Sequence, residues 1–330
     1  MTENERYDVV VVGGGAAGLS GAMALGRSRR RVLVIDAGEP RNAPADHAYN
    51  YLGREGIEPR ELLEIGRVEV ATYGVEVAVD HVVGVDRDAA GFVVTTEGGR
   101  AARARRVLVT GGVVDELPDV PGLAERWGTD VLQCPYCHGW EVRDQAIAVL
   151  ITTPMQAHHG LLFRQLSDDV VMVVADGTEL PAADLEKFAA IGVRIEHGTP
   201  HEVVTDGDRL VGLRLADGSM LERQAIFVAS KPHVRADFLA PLGIAPESFD
   251  MAGTAYGSVP AVEATGATSV PGIYAAGNAT DISLTLMASA AHGTRVGAFV
   301  NADLASEDAA RAVEARRLVR AGHAVGAHNR

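Results

Sequence analysis

The chain holds two cysteines, Cys134 and Cys137, and they form a single CxxC within CPYCHGWE. Two thiols are too few for a disulfide scaffold or a four-ligand zinc site, and the histidines stand at no metal-ligand spacing from them, so no metal site is expected. What a lone CxxC can do in a reducing compartment is cycle between dithiol and disulfide. That cycle needs one acidified thiol. Pro135 suits the first position of a helix, and helix-end amides lower a thiol pKa. His138 directly follows Cys137 and is the candidate to hold or pass the proton. His158 and His159 read as ordinary surface or packing residues. A dithiol couple cannot hand electrons to oxygen or nicotinamide unaided. It needs an organic relay, and a flavin over the disulfide is the usual one.

A relay of that kind has to be held, and the N-terminal elements supply the holder. Gly13, Gly15 and Gly18 form GxGxxG between a buried strand, YDVVVV at 7–12, and an apolar helix running to about Arg27. Asp36 ends the next strand, RVLVID at 31–36. Strand, glycine turn, helix and acidic strand end together make a dinucleotide signal. Gly13 makes the tight turn, Gly15 lets amides approach a pyrophosphate, and Gly18 permits close helix–strand packing. The helix N-terminus offers N–H groups to the phosphates, and Asp36 accepts from a ribose. The pattern fits FAD and NAD alike; the relay required by the CxxC selects FAD.

Further elements follow. Residues 59–73 read as a helix with Leu62, Leu63, Ile65 and Val68 inward, and RVLVTGG at 106–112 closes a set of short strands. After the cysteines, IAVLI at 147–151, an apolar helix to about Gln165 and VVMVV at 170–174 repeat the opening strand–helix–strand. IFVAS at 226–230 closes this second unit. VPGIYAAGN at 270–278 precedes an Ala-rich helix from about Leu284 to Leu304, with a charged helix and a frayed tail beyond. The expected fold is α/β: two Rossmann-like three-layer domains, the second inserted into the first. Residues 1–115 and 245–330 form the FAD-binding domain, and 116–244 form an inserted NAD(P)-type domain carrying the CxxC.

Composition sets limits on function. With 47% hydrophobic residues and a mean hydropathy of +0.07, the chain has ample material for a core. Its formal charge of −14 argues against nucleic acid or an anionic membrane surface as a partner. No apolar run approaches a membrane span, and MTENERYDVVVV lacks the marks of a signal peptide. The expected location is the cytoplasm.

GGGAAG near the N-terminus, the central CxxC and TSVPGIYAAGN at 268–278 resemble the low-molecular-weight thioredoxin reductase family, over roughly residues 7–304. The resemblance implies FAD in the first unit, NADPH in the second and a homodimer. It implies that Gly13, Gly15, Gly18 and Asp36 hold the FAD diphosphate and ribose, and that Arg41 and Asn42 line it. Thr110 and Gly111 would form a loop beside the cofactor, Gly277 would present the helix approaching the flavin end, and Asn278 would replace the family's Asp at the ribityl contact. Cys137 would face the flavin and Cys134 would exchange with substrate.

The family's second fingerprint, GxGxxA, is absent. Ile151, Thr153 and Gln156 stand at its three positions, and Ala175, Asp176 and Gly177 stand where 2′-phosphate-binding arginines belong. A branched side chain at the turn and Gln at the packing position block the approach of a pyrophosphate. CPYC followed by HG, with a lost NADPH site, resembles a branch of the family: the FAD-dependent dithiol oxidases of gliotoxin, holomycin and romidepsin biosynthesis. The resulting expectation is a flavoenzyme that closes a disulfide in a small dithiol and passes the electrons to O2, giving H2O2. Its rivals are a thioredoxin-type disulfide reductase fed by another donor and a redox-sensing flavoprotein without turnover.

Overall fold

A computed structural model describes residues 6–251, 254–259 and 263–327. The first five residues, which bear on the signal-peptide reading, and the last three of the expected tail lie outside the described residues. The chain opens with β1 (Arg6–Val12), α1 (Ala16–Arg27), β2 (Val32–Asp36), α2 (Pro59–Ala71) and β3 (Glu76–Val79). A meander follows: β4 (Val82–Asp88), β5 (Gly91–Thr96) and β6 (Ala101–Val109). β3, β2, β1 and β6 lie side by side in parallel. The first half of β6 pairs antiparallel with β5, and its end pairs parallel with a later strand.

β1 and β2 are uninterrupted β-branched runs because both sheet faces are covered. Val10, Val12, Leu33 and Ile35 pack on one face against Val85, Phe92 and Val94 of the meander. Val9, Val11, Val32 and Val34 pack on the other against Leu19, Leu25, Leu63 and Val70 of the helices. The period-2 alternation of a strand thus feeds two cores, which makes three layers. On α2 the inward face is Leu63, Gly66 and Val70. Val68, expected inside, is 67% exposed. Gly66 sits so close to α1 that a Cβ there would lie 2.9 Å from the Leu19 Cδ1, and this contact sets the helix rotation.

β7 (Val113–Glu116) leads out of the first unit. The inserted unit runs through β8 (Val131–Leu132), α3 (Pro135–His138), β9 (Ile147–Ile151), α4 (His158–Arg164), β10 (Val170–Val174), α5 (Ala182–Ala190) and β11 (Arg194–His197). An antiparallel sheet, β12 (Pro200–Asp206), β13 (Arg209–Leu215) and β14 (Met220–Glu222), precedes β15 (Ala225–Phe227). β11, β10, β9, β15 and β8 form a parallel five-stranded sheet, covered by Phe163 and Phe188 on one face and by Leu213 and Leu215 on the other.

β16 (Lys231–Val234) returns antiparallel to β7. β17 (Glu247–Met251) and β18 (Thr254–Val259) form a hairpin, β19 (Ile273–Ala275) joins β6, and α6 (Leu286–Ala327) completes the described chain. The return comes earlier than residue 245. Val234, Ala236, Leu239 and Ile244 already lie in the core of the first unit, so we place the crossing at the β7–β16 pair. α6 is a single helix through the segments read as an Ala-rich and a separate charged helix. Arg105 and Arg106 of β6 pair with Asp303, Glu307 and Asp308 across that junction.

Candidate active site

The glycine turn after β1 is built as its spacing demands. Gly13 has a φ of +100°, and a Cβ there would lie 2.6 Å from the Thr110 carbonyl oxygen. At Gly18 a Cβ would lie 1.9 Å from the Gly13 carbonyl oxygen, so α1 rests directly on the turn. Gly15 differs from both: nothing lies within 4 Å of its Cβ position. That open face belongs to a cavity of about 1150 Å³ reaching from the turn to the CxxC. Gly13, Gly15, Asp36, Arg41, Asn42, Thr110, Gly111, Asn278, Cys134, Cys137 and His138 all line it. Gly18 and Gly277 do not; they are packing glycines behind the wall. A Cβ at Gly277, φ +71°, would lie 2.7 Å from the Ala17 Cβ.

Several expected cofactor residues turn out to be engaged by the protein itself. The Asp36 carboxylate accepts from the Gly14 amide at 3.0 Å and from Arg67 Nη2 at 2.9 Å. Each oxygen keeps a second lone pair for a ribose hydroxyl. The Thr110 hydroxyl donates within the turn, 2.9 Å from the carbonyls of Val12 and Gly13, so it shapes the loop. The Asn278 amide donates to the carbonyls of Asp281 and Leu284, both at 3.0 Å. That brace fixes the entry to α6, where Leu284, Thr285 and Leu286 line the cavity unanticipated by any motif.

Arg41 does more than line the cavity. Its Nε and Nη2 donate to the two oxygens of Asp115 on β7, each at 2.7 Å. Arg41 also reaches Asn278 Oδ1 and Gln133 Oε1, each at 3.3 Å. Ser230, at the head of β16, donates to Asp115 at 2.6 Å, and Gln133 Nε2 donates to Ser230 at 2.8 Å. A bidentate guanidinium thus ties the first unit to both crossing strands and to the residue before Cys134.

Cys134 caps α3 in an extended conformation, Pro135 takes the first helical position, and a disulfide joins Cys134 to Cys137 with their Cα atoms 5.2 Å apart. His138, on the same turn, bridges the units: its Nε2 donates to the His47 carbonyl at 3.1 Å, and its ring meets Tyr49 edge-on at 5.8 Å. The carbonyl can only accept, so Nε2 carries the hydrogen and Nδ1 keeps the free lone pair. Burial, with the nearby Glu141, pushes the Tyr49 phenol above its ordinary range and keeps it protonated. His158 and His159, read as surface or packing residues, line the same cavity as the disulfide. His159 lies against Phe227 at 4.4 Å and His158 at 3.9 Å; burial, then the neighbouring His158, lowers it to about 4.

The second glycine-type turn, after β9, is closed from within. The buried Gln156 side chain turns back, and its Oε1 accepts from the Thr152 amide at 2.7 Å, the Thr153 amide at 3.2 Å and the Thr152 hydroxyl at 3.2 Å. Thr153 and Gln156 form a capping box on the short 3-10 turn at 154–157. Amides that would cradle a pyrophosphate already have a partner. Asp176 accepts from the Thr199 hydroxyl at 2.6 Å, and no arginine stands within 175–177. These residues do not fit a pyridine nucleotide. The turn at Gly13–Gly18 fits FAD, with an open amide face, a free acceptor on Asp36 and a cavity continuing to the disulfide. Among the described residues no cluster of potential metal ligands is present, and no helix is long and apolar enough to cross a membrane.

Two Rossmann-like units, one complete dinucleotide turn and a CxxC disulfide on the same cavity define a flavoprotein disulfide oxidoreductase. The chain belongs to the family described as pyridine nucleotide-disulphide oxidoreductase, whose sequence model matches residues 7–297. Thioredoxin reductase sirT of Leptosphaeria maculans is 30% identical over 297 residues, covering 82% of this chain and 86% of that protein. A probable thioredoxin reductase of Arthroderma benhamiae is 35% identical over 189 residues; the match spans 54% of this chain and only 46% of that relative. The crystal structure of HlmI is 42% identical, covers 96% of this chain and 98% of its own, and superposes with a TM-score of 0.87. The chain is accordingly a thioredoxin reductase-like enzyme whose cofactor is FAD, and it resembles the dithiol oxidase branch.

Proposed function

We propose that this enzyme oxidises a small dithiol to a disulfide, with O2 as final acceptor and H2O2 as product, acting as a homodimer in the cytoplasm. One observation carries the reading: the Gln156 carboxamide occupies the turn a nicotinamide dinucleotide would need, while the flavin turn at Gly15 is open. Electrons therefore enter from the thiol side. When bound, FAD takes two electrons from the cysteine pair and delivers them to the acceptor. Gly13, Gly15, Asp36, Asn42 and the Leu284–Leu286 entry to α6 would hold it.

The protein residues do the thiol chemistry. A substrate thiol gives its proton to His138 Nδ1 and attacks Cys134 Sγ, and Cys137 leaves as thiolate toward the first unit. The second substrate thiol closes the substrate disulfide and frees Cys134. The Arg41–Asp115 pair keeps the CxxC over the cavity throughout, and no rotation toward a nicotinamide is called for. Steady-state O2 uptake on a dithiol without NAD(P)H tests the reading. The names of the curated relatives favour a second one, a disulfide reductase; with the turn after β9 filled by Gln156 it would be fed by a donor other than NAD(P)H. That enzyme would consume little O2 with a dithiol and would reduce a disulfide once its flavin was reduced chemically.

A further inference from the structure

We propose that His158 is a second catalytic base of the dithiol reaction and accepts the proton of the thiol that closes the substrate disulfide. The assignment rests on the oxidase reading above. A dithiol releases two protons as it is oxidised, and His138 offers one free nitrogen. His158 and His159 open α4, which packs against α3 and so against the CxxC turn. Both line the cavity that holds Cys134 and Cys137. Each ring has its tautomer fixed by a backbone carbonyl: His158 Nδ1 lies 2.7 Å from the Met155 oxygen and His159 Nδ1 2.9 Å from the Gln156 oxygen. A carbonyl only accepts, so both Nδ1 atoms carry hydrogen and both Nε2 atoms present bare lone pairs.

The two rings then divide by exposure. His159 is half-buried between His158 and the Phe227 ring, where burial keeps it neutral. It positions its neighbour. His158 is exposed on the cavity wall, where a substrate thiol can reach its Nε2. The first substrate thiol gives its proton to His138 and forms a bond to Cys134 Sγ as the Cys134–Cys137 bond breaks. The second gives its proton to His158 Nε2 and attacks the substrate sulfur held by Cys134. The substrate disulfide forms and Cys134 leaves as thiolate. The substrate has lost two electrons to the cysteine pair and two protons to the two imidazoles.

Anaerobic mixing of the FAD-loaded enzyme with dithiothreitol, followed at the flavin absorbance, reads this half-reaction. His158→Ala should slow it by about 10²-fold, the usual loss for a removed acid–base group, and added imidazole should restore at least a tenth of the wild-type rate. His158→Gln keeps a polar side chain and should show the same loss; it carries the test should His158→Ala fail to hold FAD. A wild-type rate in either folded variant, or a His158→Ala loss that imidazole does not lift, overturns the assignment. A wild type that dithiothreitol fails to reduce refutes the oxidase reading itself, whereas a reducible wild type with indifferent His158 variants refutes only this step.

Discussion

Gln156 Oε1 lies 2.7 Å from the Thr152 amide and closes the turn after β9 from within. The side chain replaces a ligand: three donors that a pyrophosphate would satisfy are satisfied by one carboxamide. Gln156→Ala should therefore destabilise the inserted unit by about 0.5–1.5 kcal/mol, the net worth of a hydrogen bond to donors that water can still reach, read as a shift in urea midpoint. Neither the wild type nor this variant should show flavin bleaching when mixed anaerobically with NADPH. Rapid bleaching of the wild type would mean that the nucleotide is held elsewhere.

Gly15 and Gly18 should respond to substitution in opposite ways. A Cβ at Gly15 meets no protein atom within 4 Å, so in Gly15→Val the fold should stand while FAD is lost, because the side chain enters the space of the diphosphate. Gly18→Ala drives a Cβ to 1.9 Å from the Gly13 carbonyl oxygen and should compromise folding. Circular dichroism together with the flavin-to-protein absorbance ratio separates the two. A yellow, folded Gly15→Val would show that the cofactor does not lie against this turn.

The cysteines should differ in their spectra. If Cys137 is the flavin-side cysteine, as the proposed reaction has it, Cys134→Ser leaves it as a free thiolate against the flavin, and a long-wavelength charge-transfer band is expected. Cys137→Ser should lack the band. Both should lose dithiol-dependent H2O2 formation. A band in Cys137→Ser alone would exchange the two roles. His138→Ala should retain FAD and slow turnover by about 10²–10⁴-fold, with partial recovery at high pH, where thiols ionise unaided.

His159 should leave a mark on stability. Its folded pKa of about 4 lies below the ordinary 6.5, so the unfolded chain binds its proton first as pH falls. The contribution is complete above pH 6.5 and is lost progressively toward pH 4, by up to about 3 kcal/mol. His159→Phe keeps the stack on Phe227 and removes the titration. Urea midpoints at pH 7 and pH 5 should diverge for the wild type more than for the variant; equal divergence would place the acid sensitivity in other groups.

Much of this site was legible in the chain because its parts are local. Gly13 to Gly18 and Cys134 to Cys137 act through neighbours a turn away, and both motifs carry their geometry in their spacing. The rest is assembled across the molecule. Arg41 meets Asp115 over 74 residues, so the sequence marked Arg41 as a cavity residue and gave no hint of its partner. His158 and His159 are two histidines after an apolar strand in the sequence; only the packing of α4 on α3 brings them to the disulfide. The early return at Val234 was hidden for a related reason. Strand pair β7–β16 is only four residues on each side and partly exposed, too short for the alternation in β16 to announce which core it serves. Val68 went astray because the Leu19–Gly66 contact, not the count of apolar residues, sets the rotation of α2.

The measurement closest to the central claim is the stoichiometry of dithiol oxidation by the purified, FAD-loaded enzyme. An oxygen electrode coupled to a peroxide assay, with a small dithiol as the only reductant, should give one disulfide and one H2O2 for each O2 consumed. Added NADPH should change neither number. No O2 uptake with any dithiol, combined with disulfide reduction once a reductant has loaded the flavin, would contradict the account and make the enzyme a reductase.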